Sequence, residues 1–177
     1  MLEKLKYPIG KPDIPKNISS ENITVWIKTI EEFPLKLEAL VAQLSNKQLD
    51  TVYRKNGWTI KQVIHHCSDS HLNSYIRFKW ALYEEKPIIK AYYEERWAEL
   101  FDSKLAPIHL SIEMLKGLHA KWVYLLKNLN NIDLKKEFIH PNGNEAVSLE
   151  KNIGIYAWHC NHHFAHIYNL MEAKQWL

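Results

Sequence analysis

The run Gly154-Ile155-Tyr156-Ala157-Trp158-His159-Cys160-Asn161-His162-His163-Phe164-Ala165-His166-Ile167 decides the fold. It holds four histidines in eight residues, contains no proline, and has a glycine only at its start. Ile153, Tyr156, Ile167 and Leu170 recur at helical spacing on either side of the histidines. His159 and His163 are four apart, so they project from one helix face, one turn above the other. That face is also the apolar, inward one. Two imidazoles so placed can hold a divalent cation, and a third ligand must then come from elsewhere in the chain.

Working outward, this helix is expected from Ser148 to about Lys174. A second histidine window, His65, His66 and His71, falls on another apolar-periodic stretch. Ile60, Val63, Cys67, Ile76, Phe78, Trp80 and Leu82 predict a helix over 59–84. Trp26, Ile30, Phe33, Leu37, Leu40, Val41 and Leu44 predict one over 20–45, with Ser20 as its N-cap and a kink or short break at Pro34. Leu110, Met114, Leu118, Trp122, Leu125, Leu126 and Leu129 predict one over 108–129, starting at Pro107 or Ser111.

The connections fix how these helices can be arranged. Residues 47–57 make a short polar link with an Asn56-Gly57 turn, which favours antiparallel neighbours. Residues 86–106 are long enough to cross back along a helix of about 37 Å, so the second and third helices can run parallel. Asn142-Gly143, between Phe138-Ile139 and Ala146-Val147, suggests a small hairpin. Pro8, Pro12 and Pro15 mark residues 1–18 as an extended strap, with Tyr7 and Ile9 able to dock on the body. The whole of 1–177 reads as one all-α domain built on four long helices.

Composition narrows the function. The net charge is only +3, with no long Lys/Arg block and no glycine-rich phosphate loop, so nucleic acid is a poor partner. No apolar run approaches the roughly 20 residues of a membrane span. Cys67 and Cys160 make no disulfide framework, and no signal peptide is evident at the start, so a cytoplasmic protein is expected.

A catalytic zinc-type site takes three protein ligands and leaves a position open. Imidazole suits Zn, Ni, Co, Cu and Fe(II). The helix over 149–174 offers His159 and His163, which lie on the apolar stripe, while His162 and His166 share the same spacing. The helix over 59–84 offers His66, with His65 as its competitor. Cys67 and Cys160 adjoin candidate ligands, but neighbouring helical residues diverge by about 100°, so they read as buried small apolar groups, with a thiolate ligand as the lesser alternative.

The run Trp58-Thr59-Ile60-Lys61-Gln62-Val63-Ile64-His65-His66-Cys67-Ser68-Asp69 resembles a signature of the DinB/YfiT superfamily. In that signature Trp and Gln precede a ligand His, and Asp follows three residues on. His159-Cys160-Asn161-His162-His163 is similar to the second signature. Tyr7-Pro8-Ile9-Gly10, Asn73-Ser74-Tyr75-Ile76-Arg77-Phe78-Lys79 and His140-Pro141 resemble the YfiT branch. The resemblance covers nearly the whole chain. It implies His66, His159 and His163 as ligands of one divalent ion, zinc or nickel, in a four-helix bundle of up-down-down-up type. It also implies a homodimer, which the many Trp and Tyr residues support weakly.

Two enzymatic readings follow, because an ion on three neutral imidazoles activates water and also stabilises a thiolate. One is metal-dependent hydrolysis, with Asp69 or His162 moving protons. The other, which the resemblance implies for the wider superfamily, is S-transfer from a low-molecular-weight thiol such as bacillithiol. A non-enzymatic metal-binding, stress-response protein is the alternative. Asp69 could instead orient an imidazole. Arg77 and Lys79 could attract an anionic cofactor, although helix charges are more often simply solvated. Tyr92, Tyr93 and Trp97 could roof the site or form a dimer contact.

Overall fold

The computed structural model describes residues 2–177, and its elements follow the apolar periodicity closely. A five-residue helix α1 (Leu2–Lys6) opens the chain. The long helix α2 (Ser20–Val41) and the short helix α3 (Asn46–Leu49) come next. After the long helix α4 (Ile60–Tyr83) the crossover carries α5 (Glu94–Trp97) and α6 (Phe101–Leu105). Helix α7 (Ile108–Lys127), the short α8 (Asn131–Lys135), strands β1 (Glu137–His140) and β2 (Glu145–Ser148), and the long α9 (Leu149–Ala173) complete it.

Local chemistry sets the helix starts. Ser19, Thr59 and Ser148 each accept a backbone N–H of the first turn of α2, α4 and α9. The cap of α2 is therefore Ser19 and not Ser20, because Asn22 closes a reciprocal capping box with Ser19. The same helix ends at Val41, short of the expected 45, and Ser45 caps α3 instead. The hairpin forms as expected, with Phe138 opposite Val147 and Ile139 opposite Ala146. Its loop places Gly143 at φ 89°, a left-handed conformation that suits glycine.

Pro34 does not break α2, which runs continuously through it. A proline has no N–H to give the carbonyl four residues back, here that of Ile30. That carbonyl accepts a hydrogen bond from His119 Nδ1 at 2.6 Å instead. The proline is tolerated because a neighbouring helix supplies the missing donor.

Side-chain pairs give the helix directions. His65 meets Ser111, His71 meets His119 and Phe78 meets Trp122, so α4 and α7 run parallel. His66 meets His159, Ser70 meets Tyr156 and Ser74 meets Asn152, so α4 and α9 are antiparallel. Glu31 pairs with Lys127 and Glu38 with Lys116, so α2 and α7 are antiparallel. In chain order the four long helices run up, down, down, up, around one core that includes Ile30, Leu37, Ile64, Trp122 and Ile153.

The N-terminal strap is not extended throughout, since residues 2–6 form α1. It docks on α9: the carbonyl of Gly10 accepts from Trp158 Nε1, and Ile14 lies against Gly154. A Cβ on Gly154 would come within 2.9 Å of both Ile14 and Trp26, so glycine here allows strap, α2 and α9 to pack closely. Tyr7 docks as expected, whereas Ile9 stays exposed. Among the described residues no helix is long and apolar enough to cross a membrane.

Candidate metal centre

His66 comes from α4, and His159 and His163 from the facing turns of α9. One ring nitrogen from each lies within 4.8 Å of the others. The Nε2 atoms of His66 and His159 are 3.3 Å apart. Two nitrogens at about 2.0–2.1 Å from a tetrahedral ion lie about 3.3–3.4 Å from one another, so this pair is spaced for a shared cation. Burial, reinforced by the other imidazoles, lowers His66 to about 3 and holds His159 and His163 well below the ordinary histidine value. All three rings are therefore neutral at pH 7, the form that donates a lone pair to a metal.

The tautomers follow from the acceptors at the far ends of two relays. The Ile30 carbonyl can only accept, so His119 carries its proton on Nδ1 and offers Nε2 as an acceptor. His71 Nδ1–H then donates to His119 Nε2 at 2.7 Å. His159 Nδ1–H donates in turn to His71 Nε2 at 3.0 Å. That leaves His159 Nε2 unprotonated and facing His66. The second relay starts at the Lys6 carbonyl, which accepts from His166 Nε2–H at 3.1 Å. His166 Nδ1 is thereby an acceptor and takes His163 Nδ1–H at 3.4 Å, freeing His163 Nε2. Fixing a ligand imidazole through its other nitrogen is how metal sites are commonly oriented.

These relays bear on the competitors. His162, His163 and His166 form a second possible ligand group. Both nitrogens of His166 are already engaged, however, so His166 supports His163 rather than a cation. His65 likewise spends Nδ1 on Ser111 Oγ and Nε2 on the Ala106 carbonyl, away from the triad. The donor set thus fits one divalent ion on His66, His159 and His163.

The rings sit at the floor of a cleft of about 1000 Å³, walled by Tyr7, Tyr53, Trp58 and Trp158 among others. Trp58 packs on His66 with ring centres 4.6 Å apart, and Trp158 stacks on His162 at 4.3 Å. His162 lines this cleft, and its Nδ1 is buried without a hydrogen-bond partner. Burial and the neighbouring His166 lower its pKa to about 3.

Asp69 does not take the orienting role expected of it. It lies outside the lining of the cleft, and its carboxylate hydrogen-bonds none of the three imidazoles. It is half-buried near Asp102, and burial raises its pKa to about 6. The orienting position is filled by His71, which α4 carries five residues beyond His66. His71 belongs to the dense histidine window, but only its partner on α7 shows its role. His119 and His166 complete the set that spacing alone did not assign. Cys67 and Cys160 are fully buried, and burial pushes both thiols up, in keeping with inert apolar packing. Lys79 is exposed, as a solvated helix charge should be, but Arg77 is buried.

The relay through His119 makes a distinct prediction. In His119→Phe the N–H of His71 loses its acceptor and the Ile30 carbonyl its donor. Metal affinity should fall by about tenfold, at the low end for an outer partner. His119→Gln should largely restore it, because its amide can accept from His71 and donate to Ile30. Metal titration, with nitrogen NMR of the His159 tautomer, reads both variants.

An up-down-down-up bundle with three convergent imidazoles defines a class of helical metal-site proteins, and the comparisons with known proteins agree. The chain belongs to the DinB superfamily, whose profile matches residues 29–167. It is 48% identical over 171 residues to a protein of Oceanobacillus iheyensis named "Putative metal-dependent hydrolase", covering 97% of this chain and 98% of that one. A Bacillus cereus protein of the same name is 50% identical over 175 residues, covering 99% and 100%. Among solved structures, YfiT from Bacillus subtilis superposes with a TM-score of 0.96 at 45% identity, over 98% of this chain and 99% of that one. It is described as a probable metal-dependent hydrolase with an unusual four-helix bundle topology.

Proposed function

We propose that the chain is a metal-dependent hydrolase that works with one divalent cation, zinc or nickel, on His66, His159 and His163. The observation that carries this reading is the convergence of one ring nitrogen each from His66, His159 and His163 within 4.8 Å, with the Nδ1 atoms of His159 and His163 engaged by His71 and His166. The names of the relatives support it. A divalent cation held there would supply a Lewis acid and lower the pKa of water in contact with it to around 7.

The chain's own residues do the rest. Trp58, Tyr53 and Trp158 wall the cleft and limit solvent around the imidazoles. His162 lines the same cleft and, as a neutral imidazole whose pKa is lowered to about 3, would orient water there and not act as a strong base. Asp69 has no part in this scheme.

One observation favours a second reading. Among the described residues no carboxylate hydrogen-bonds any of the three imidazoles, and transfer of a thiol's sulfur needs no protein base. Bacillithiol or a similar small thiol would then be the co-substrate. Turnover of metal-loaded protein on activated esters and on a chloro-dinitro-arene, with and without bacillithiol, separates the two. Hydrolysis that needs metal and fails in His163→Ala is the expected result. Turnover only with bacillithiol would establish S-transfer. No turnover in a metal-loaded sample would leave a non-enzymatic metal-binding protein.

A further inference from the structure

Arg77 lies three turns along α4 from His66 and is only 8% exposed. Its Nε has no hydrogen-bond partner, and among the described residues no carboxylate pairs with it. Only Nε is fully buried without a partner, so the rest of the guanidinium faces the cleft, where a partly dehydrated cation without a counter-charge is disfavoured. Such a group persists where a ligand supplies the counter-charge.

The surroundings are built like a ligand site. Arg77 lines a cleft of about 640 Å³, within the range of small-molecule pockets. This cleft is distinct from the one above His66, and His159 lines both, so they meet at the candidate metal centre. The Tyr92 hydroxyl is buried beside Ser70, and both residues line the same cleft. His140 adds a donor: its Nδ1 accepts the Asn142 N–H, which leaves the proton on Nε2. Arg77 lies close enough for its charge to help hold both His159 and His140 below the ordinary histidine value. Glu94, Glu95 and Arg96 also line the cleft; neither carboxylate pairs with Arg77, and partial burial raises the Glu94 pKa.

We propose that this cleft binds the carboxylate of a small-molecule substrate on the Arg77 guanidinium, with the remainder of the molecule reaching past Tyr156 to His159. Arg is the side chain whose planar fork matches a carboxylate, and the Tyr92 hydroxyl is a further donor. Binding of the anion stands on Arg77 alone. That the anion is part of a substrate rests on the hydrolase reading.

Succinate, its diamide and inorganic phosphate serve as probes, titrated by calorimetry into metal-loaded wild type, Arg77→Met and Arg77→Lys. Succinate should bind wild type and the diamide should not. Both variants should weaken succinate by about tenfold or more while keeping full metal content. Arg77→Met should also melt no lower than wild type without ligand, since it removes an uncompensated charge. Metal-free wild type should still bind succinate, so failure of the metal reading leaves this one separately testable. Equal succinate affinity in wild type and both variants would overturn the proposal. So would a preference for phosphate over succinate, or a large drop in the melting temperature of Arg77→Met, which would make Arg77 structural.

Discussion

Replacing His66, His159 or His163 by alanine will strip the metal from the protein and leave its helices in place. Four-ligand structural zinc sites bind with about 10–16 kcal/mol, so one ligand carries about 2.5–4 kcal/mol, or roughly 10²–10³-fold in affinity. The bundle survives because its core is Ile, Leu, Phe and Trp from all four long helices, not the histidines. His166→Ala should fall between, at about 10–100-fold, since it removes the acceptor that orients His163. His162→Ala should hold metal within about tenfold of wild type, because its buried Nδ1 hydrogen-bonds none of the ligand histidines. Elemental analysis, metal titration and circular dichroism check the series. Loss of metal in His162→Ala with retention in His163→Ala would show that the wrong pair on α9 has been chosen.

Acid will unfold the metal-free protein near about pH 4–5, driven by its buried neutral histidines. His119 and His166 are lowered to about 4, and His66 and His162 to about 3, chiefly by burial. In the unfolded chain these histidines take up protons near pH 6.5, while in the folded chain they remain neutral. Below pH 6.5 the unfolded state therefore binds more protons, and stability falls as pH falls. The loss runs from about 6.5 down to about 4, on the order of 1 kcal/mol per pH unit for each ring that stays neutral. With several such rings against a total of about 5–15 kcal/mol, cooperative unfolding is expected near pH 4–5. Asp69 acts in the opposite sense: its pKa is raised to about 6, so its contribution is present at low pH and lost as pH rises. It is one group against several. Melting temperatures of chelator-treated protein between pH 7.5 and 4 test this, and a flat profile would contradict it. Added metal should raise the melting temperature near neutral pH, because it binds only the folded state with high affinity.

The four long helices and the hairpin were legible in the sequence because each reports a local rule. Apolar spacing of 3.6 marks a buried helix face, and Ser, Thr or Asn-Gly marks an end or a turn. Even the parallel pairing of α4 and α7 was available, since the length of 86–106 permits a crossover. His159 and His163 were accessible for the same reason: their spacing and the apolar stripe place them on one inward face. Spacing could not choose between His65 and His66, or exclude His166, because each choice depends on which neighbours occupy a ring's second nitrogen. Only the packed bundle shows Ser111 and Ala106 engaging His65, and Lys6 engaging His166. The same limit applies to Pro34, which read locally as a break. In the fold it frees the Ile30 carbonyl that anchors His119, and through His71 fixes the proton on His159. Arg77 read locally as a solvated helix charge, and burial by the crossover and the hairpin made it an unpaired cation inside a cleft. The sequence determined which surfaces turn inward, because burial of apolar area is a property of each segment's own pattern. The tertiary structure decided which polar atoms find partners, because that depends on groups many residues apart.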